Sequence, residues 1–232
     1  MIAAIPSFAI VVLEILVIAG VGTASILAGL RKGRTARVRS LQLQMLADRL
    51  KFDDFNPNRD ERFAMGWGFL NRLAQGQDRY AFNILRGTYH DQSLFVFDQH
   101  YRTGSGKNRK DHYGTILMLV VKEAFPKMTI GPETLGEKVE TALGFGDAVR
   151  FESAEFSRTF CVRSKDKKFA YDVCNPQMIE YLLANPGLQI EIQGPVISLA
   201  FEPQLPVSQI EFNLQRLVEI RSRLPQYLFT NA

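Results

Sequence analysis

"YAFNILRGTYHDQSLFVFDQHYRTGSGKNRKDHYGTILMLVVKE", Tyr80–Glu123, is the stretch that decides the fold. Three runs within it, 80–90, 93–102 and 113–123, are rich in β-branched and aromatic residues. They are punctuated by Asp91-Gln92 and by a Gly-Ser-Gly turn signal, so they predict an antiparallel meander. On the second run Phe95, Phe97 and Tyr101 share one face, and Asp98 and His100 share the other. The link from Tyr101 to Tyr113 holds a glycine-flanked lysine, Lys107, which raises the question of a phosphate-binding loop. Such a loop needs G-x-x-x-x-G-K-[ST] between a strand and a helix, so that backbone amides and a helix N-terminus surround the phosphates. Here Asn108 follows Lys107 and both flanks are strands. The link therefore reads as a hairpin turn in which Gly104 and Gly106 supply positive φ and the lysines and Arg109 are solvated.

Outward toward the C-terminus, "KMTI" after Pro126 reads as a short strand. "GPETLGEKVETALG" reads as a short amphipathic helix opened by Pro132, and "EFSRTFCVRS" as another strand. Residues 166–187 read as two short helices broken at Asn175-Pro176, where asparagine caps and proline opens the second. A hairpin is expected over Gly194-Pro195. The last helix carries Ile210, Leu214, Leu217, Val218 and Leu224 on its apolar side. Outward toward the N-terminus, the aromatics of residues 52–79 suggest a loop tucked onto the core, with bilayer contact through Phe63, Trp67 and Phe69 as the weaker reading. Before it, Leu43, Leu46 and Leu50 predict a helix with Ser40 as its N-cap.

The extreme N-terminus is different in kind. Ser7–Leu30 is 24 residues with one charged side chain, Glu14, and thirteen Ile, Leu, Val and Phe residues. As a helix it would rise about 36 Å against a hydrocarbon core of about 30 Å. The acid costs roughly 3 kcal/mol on insertion scales, less than the apolar sum returns. Glu14 shares a helical sector with Ile18 and with Gly22, Ser25 and Gly29, whose small side chains permit a homo-oligomer through the span; a tolerated acid is the plainer reading. Residues 31–39 follow with Arg31, Lys32, Arg34, Arg37 and Arg39 and no acid, which sets topology and suits anionic headgroups. The expected organisation is a transmembrane anchor over 1–30, a basic juxtamembrane tract over 31–39 and a cytoplasmic domain over 40–232. The protein would be single-pass in the plasma (inner) membrane, with its N-terminus outside.

The net charge is +4, but the five cations of the tract less Glu14 account for it: residues 40–232 carry 23 Lys and Arg against 23 Asp and Glu. A nucleic-acid-binding domain would spread basic residues over a face of its fold, so no nucleic acid is expected. Cys161 and Cys174 read as buried structural thiols. The sequence contains no G-x-S-x-G, H-E-x-x-H, C-x-x-C or dinucleotide fingerprint. One constellation suggests chemistry: with an odd hairpin loop His100 and His112 would face one another beside Asp98, two imidazoles and a carboxylate suited to a metal.

Gly87, Thr88 and Tyr89, the F-x-V-x-S-x-D stretch Phe160, Val162, Ser164 and Asp166, and the helix carrying Pro176, Met178 and Leu182 resemble a group of uncharacterised bacterial membrane-anchored proteins. The resemblance covers roughly residues 40–205. It implies a membrane-tethered α+β domain and carries no catalytic residues. The fold class expected is α+β: a transmembrane helix, then one antiparallel-sheet domain with inserted and C-terminal helices, compatible with a pleckstrin-homology-like pattern. The expected function is a non-enzymatic interaction or scaffold module on the cytoplasmic face, without cofactor, whose partners are the lipid bilayer and another protein. The rival is a metal-dependent hydrolase using Asp98, His100 and His112.

Overall fold

The computed structural model describes residues 33–133 and 148–229. The chain divides into two compact units, Met1–Gln42 and Leu43–Ala232. In the first, residues 33–42 are helical, with Arg34 and Arg37 exposed. The helical assignment starts at 33, so Ser40 lies inside a helix and does not cap one.

The second unit opens with helical residues 43–50, whose Leu43, Leu46 and Ala47 are buried. It then builds one seven-stranded sheet in the order β1-β2-β3-β4-β6-β5, with β7 added along β4, every pairing antiparallel. The strands are β1 (Asp54–Asn56), β2 (Gln77–Tyr89), β3 (Gln92–Thr103), β4 (Lys110–Pro132), β5 (Ala148–Val149), β6 (Phe160–Ser164) and β7 (Ile190–Phe201). The helices that follow residue 50 are α1 (Glu61–Gly66), α2 (Asn71–Ala74), α3 (Ala154–Thr159), α4 (Lys167–Val173), α5 (Pro176–Ala184) and α6 (Ile210–Arg223).

The meander over 80–123 is present as expected, and its link is a turn in which Gly104 and Gly106 have φ of 72° and 55°. The strand after Pro126 is not separate, because β4 runs through it for 23 residues. Its first half lies between β3 and β7, its second between β6 and β7, with register shifts around Phe125. β7 bends with it. Ala200 N–H donates to the Gln189 carbonyl at 3.2 Å, and the Ser198 hydroxyl to the Glu191 carbonyl at 3.1 Å. A straight strand would hold residues eleven apart at about 36 Å, so the chain doubles back near Gly194, whose φ is 55°. The hairpin expected over Gly194-Pro195 is thus present, as a fold in a ribbon.

The expected strand 155–164 is half helix. Ser153 accepts from Phe156 N–H and starts α3, and the strand begins only at Phe160. The break at Asn175-Pro176 is as expected, with Asn175 accepting from Met178 N–H and Pro176 opening α5. The helix expected over 131–144 lies, from residue 134 on, outside the described residues.

Each face of the sheet buries a core. One packs Leu85, Leu94, Val96, Leu117, Leu119 and Leu199 with residues 43–47 and with the buried stripes of α4, α5 and α6. The other packs Phe97, Ile116, Met118 and Val196 under the segment 57–76, through Phe63, Ala64, Trp67, Leu70 and Leu73. That segment is therefore a cover on the core, as its aromatics suggested.

The expected fold class requires correction. Among the described residues no helix is long and apolar enough to cross a membrane, and residues 7–30, on which that expectation rested, lie outside them, as do Ser7, Glu14, Gly22, Leu30, Arg31 and Lys32. The described fold is a sheet-rich domain with helices. Three helices enter between β5 and β7, and strands β4 and β7 are bent together, features that the pleckstrin-homology-like pattern did not anticipate.

Candidate functional site

Where β3, β4 and β7 end side by side, Thr103, His112 and Glu202 are joined in a line. His112 Nδ1 lies 2.9 Å from Glu202 Oε1, and its Nε2 lies 2.8 Å from Thr103 Oγ1. A carboxylate only accepts, so Nδ1 carries the proton. In the neutral ring Nε2 is then the acceptor, and the Thr103 hydroxyl donates to it.

The surroundings fix this line. Tyr101 is the cross-strand partner of His112, and their rings stack at 4.6 Å with an interplanar angle of 6°. The Tyr101 hydroxyl donates to Glu202 Oε2 at 2.9 Å, and Arg72 Nη1 stands 3.8 Å from the same oxygen. Burial, reinforced by the bond to Glu202, pushes the Tyr101 phenol well above its ordinary range, so it remains a donor. Arg72 also donates to the Gln189 side chain. The imidazole is 16% exposed and Glu202 31%, while Thr103 opens to solvent.

A second polar group continues from Arg72 beneath the cover. Glu191, 6% exposed, accepts from the backbone N–H groups of Asn71 at 2.6 Å and Arg72 at 3.5 Å, the start of α2. Lys127 Nζ donates to Asn71 Oδ1 at 2.5 Å. Burial raises the Glu191 carboxyl above its ordinary range, and the amide bonds and the nearby cations offset only part of that.

The constellation expected from the sequence does not assemble. His100 pairs with Tyr113, and His112 pairs with Tyr101, so the two imidazoles stand on opposite faces of the ladder. Asp98 is buried on the His100 face, where it accepts from Asn83 Nδ2 at 2.9 Å and Thr115 Oγ1 at 2.8 Å. Both His100 nitrogens are occupied, Nδ1 by the Asp78 carbonyl at 3.0 Å and Nε2 by Asp111 at 2.8 Å. The bonds from His100 and Arg102 hold the Asp111 carboxyl below its ordinary range. Among the described residues no group of three His, Cys, Asp or Glu side chains is arranged to hold a metal ion. Of the tract, Arg34 and Arg37 are exposed and Arg39 is half-buried.

Sequence reasoning found His112 but missed Thr103, Tyr101, Arg72 and Glu202 as its surroundings. Only the diagonal placement of Thr103 and His112 across the hairpin was open to inference. A crevice lined by Arg72, Leu73, Tyr80, His100 and Tyr101 among others lies beside the cluster and is too tight to admit a water molecule. It is smaller than the roughly 300–1,000 Å³ of small-molecule pockets.

No protein-family model and no curated protein matches the chain. Among solved structures it is similar to the crystal structure of the mycobacterial trehalose monomycolate transport factor A, TtfA. The identity is 14% and the TM-score 0.62, over 84% of this chain and 98% of that one. At that identity the likeness is one of fold.

Proposed function

We propose that the chain is an interaction module that works at the cytoplasmic face of a membrane and binds another protein through its cover segment, in a transport process, as the likeness in fold to a transport factor suggests. The observation that carries this reading is the placement of apolar side chains on the cover. Met65 is 71% and Phe69 37% exposed, on either side of the half-buried Trp67. Phe63 and Trp67 are anchored on Phe95, with ring centroids at 5.5 and 5.9 Å, so the pair is presented on a supported surface. Exposed aromatics and methionine on such a surface are the composition of a protein-binding patch. Arg34 and Arg37, exposed on the first unit, suit an anionic lipid surface.

The test is a photo-cross-linking residue placed at Met65 or at Phe69 in cells, with the exposed Asn58 as the control position. A discrete protein adduct from 65 and 69 and none from 58 supports the reading. Identical adducts from all three positions, or none from any, end it.

A further inference from the structure

We infer that Thr103 is an acyl-accepting nucleophile activated by His112 and Glu202, a site for activated carboxylic esters that is independent of the docking surface. An isolated threonine hydroxyl is a weak nucleophile, and what activates one is a base within hydrogen-bond reach that is itself oriented by a third group. The structure supplies both contacts, Thr103 Oγ1 with Nε2 at 2.8 Å and Nδ1 with Glu202 at 2.9 Å, and a neutral ring protonated on Nδ1 gives them the required sense. Connectivity of hydroxyl, Nε2, Nδ1 and carboxylate identifies such a relay whatever the fold or chain order. A second feature separates this line from a chance cross-strand bond. Its histidine is clamped, with Tyr101 stacked on the ring and donating to the same carboxylate that orients it, and with Arg72 beside that carboxylate. Three strand ends thus converge on one imidazole, with Arg72 of α2 beside its carboxylate partner, while the threonine it faces is exposed.

In the reaction, Thr103 Oγ1 attacks the ester carbonyl carbon while His112 Nε2 takes the hydroxyl proton and Glu202 stabilises the imidazolium. The bond from the carbonyl carbon to the leaving oxygen then breaks. The acyl group stays on Thr103 as an ester, the leaving group departs as its anion, and the imidazolium returns its proton to solvent. No metal, oxidant or reductant is involved.

The experiment uses the full chain with p-nitrophenyl acetate, following nitrophenolate release and locating acetyl groups by peptide mass mapping. Acetylation of Thr103 is expected. It should be lost in Thr103→Val, slowed about 100-fold or more in His112→Gln, as expected for removing a general base, and slowed at least about tenfold in Glu202→Gln, which removes the charge fixing the tautomer. Trp67 fluorescence and circular dichroism report whether each variant is folded. Acetyl groups found only on Lys107 or Lys110, or acetyl-Thr103 forming equally fast in folded His112→Gln, overturn the inference. Absence of acetyl-Thr103 in the folded wild-type protein overturns it whatever the variants do.

Discussion

Asp98 is the residue whose chemistry is most easily misjudged. A carboxylate beside a histidine on a strand suggests metal ligation, yet this one is 1% exposed and accepts from Asn83 and Thr115. Thr115 in turn accepts the Leu205 N–H at 3.0 Å, so the carboxylate ties β2, β3 and β4 to the chain leaving β7. Asp98→Ala strands two buried donors, and each unsatisfied buried group costs about 1–3 kcal/mol. The variant should lose about 2–6 kcal/mol in urea unfolding with no change in zinc binding; near-wild-type stability would mean the carboxylate organises nothing. The hairpin glycines give a paired prediction. A Cβ at Gly104 would sit 2.3 Å from the Asn108 carbonyl oxygen, whereas one at Gly106 meets nothing within 4 Å. Both have left-handed φ, so Gly106→Ala should cost about 1–2 kcal/mol from conformation alone. Gly104→Ala must also move backbone and should lower the melting temperature further; equal shifts would contradict this.

At the scale of elements, the cover segment is held by a buried charge. Glu191 caps the two leading amides of α2, and its carboxyl is raised by burial. A carboxyl raised on folding contributes stability that is complete below its unfolded pKa and is lost as pH rises through the folded one. Glu191→Gln still offers an oxygen to an amide and carries no charge, so at neutral pH it should be at least as stable as wild type. Wild type should gain on it as the pH is lowered toward the unfolded carboxyl range. Trp67, the only tryptophan, sits on the segment concerned and follows the urea midpoints directly. A Gln variant that is less stable at neutral pH, by a margin that shrinks toward acid, would show that the charge itself is needed. The same elements show what the sequence reveals. Asn175-Pro176 and the glycine hairpin were legible because their signals are local: a cap three residues from its amide, a glycine at its own φ. The start of α3 was missed because its cap, Ser153, precedes a run whose aromatic and β-branched composition favours strand. The pairing of His112 with Glu202 spans 90 residues, and nothing near either one signals the other. The faces of His100 and His112 were misjudged because one residue of register exchanges the two faces of a strand.

At the scale of the folded unit, β4 decides how the protein unfolds. It pairs with β3, β6 and β7, and its residues enter both cores, Ile116 and Met118 on one face and Leu117 and Leu119 on the other. Neither core can come apart while β4 keeps its register. The ribbon of β4 and β7 also bends under the cover, where Lys127 and Glu191 meet Asn71, so release of the cover and loss of the sheet are coupled. Residues 43–229 should therefore unfold in one transition in the full chain. Phe97, completely buried beneath the cover, and Leu182, completely buried on α5 against the opposite core, probe the two sides. Phe97→Ala should cost about 3–5 kcal/mol and Leu182→Ala about 2–5 kcal/mol. Each should move the Trp67 fluorescence transition and the far-ultraviolet circular dichroism transition together. If Phe97→Ala shifted the fluorescence midpoint alone, the cover and its core would be a separate cooperative layer, and the coupling assigned to β4 would be wrong.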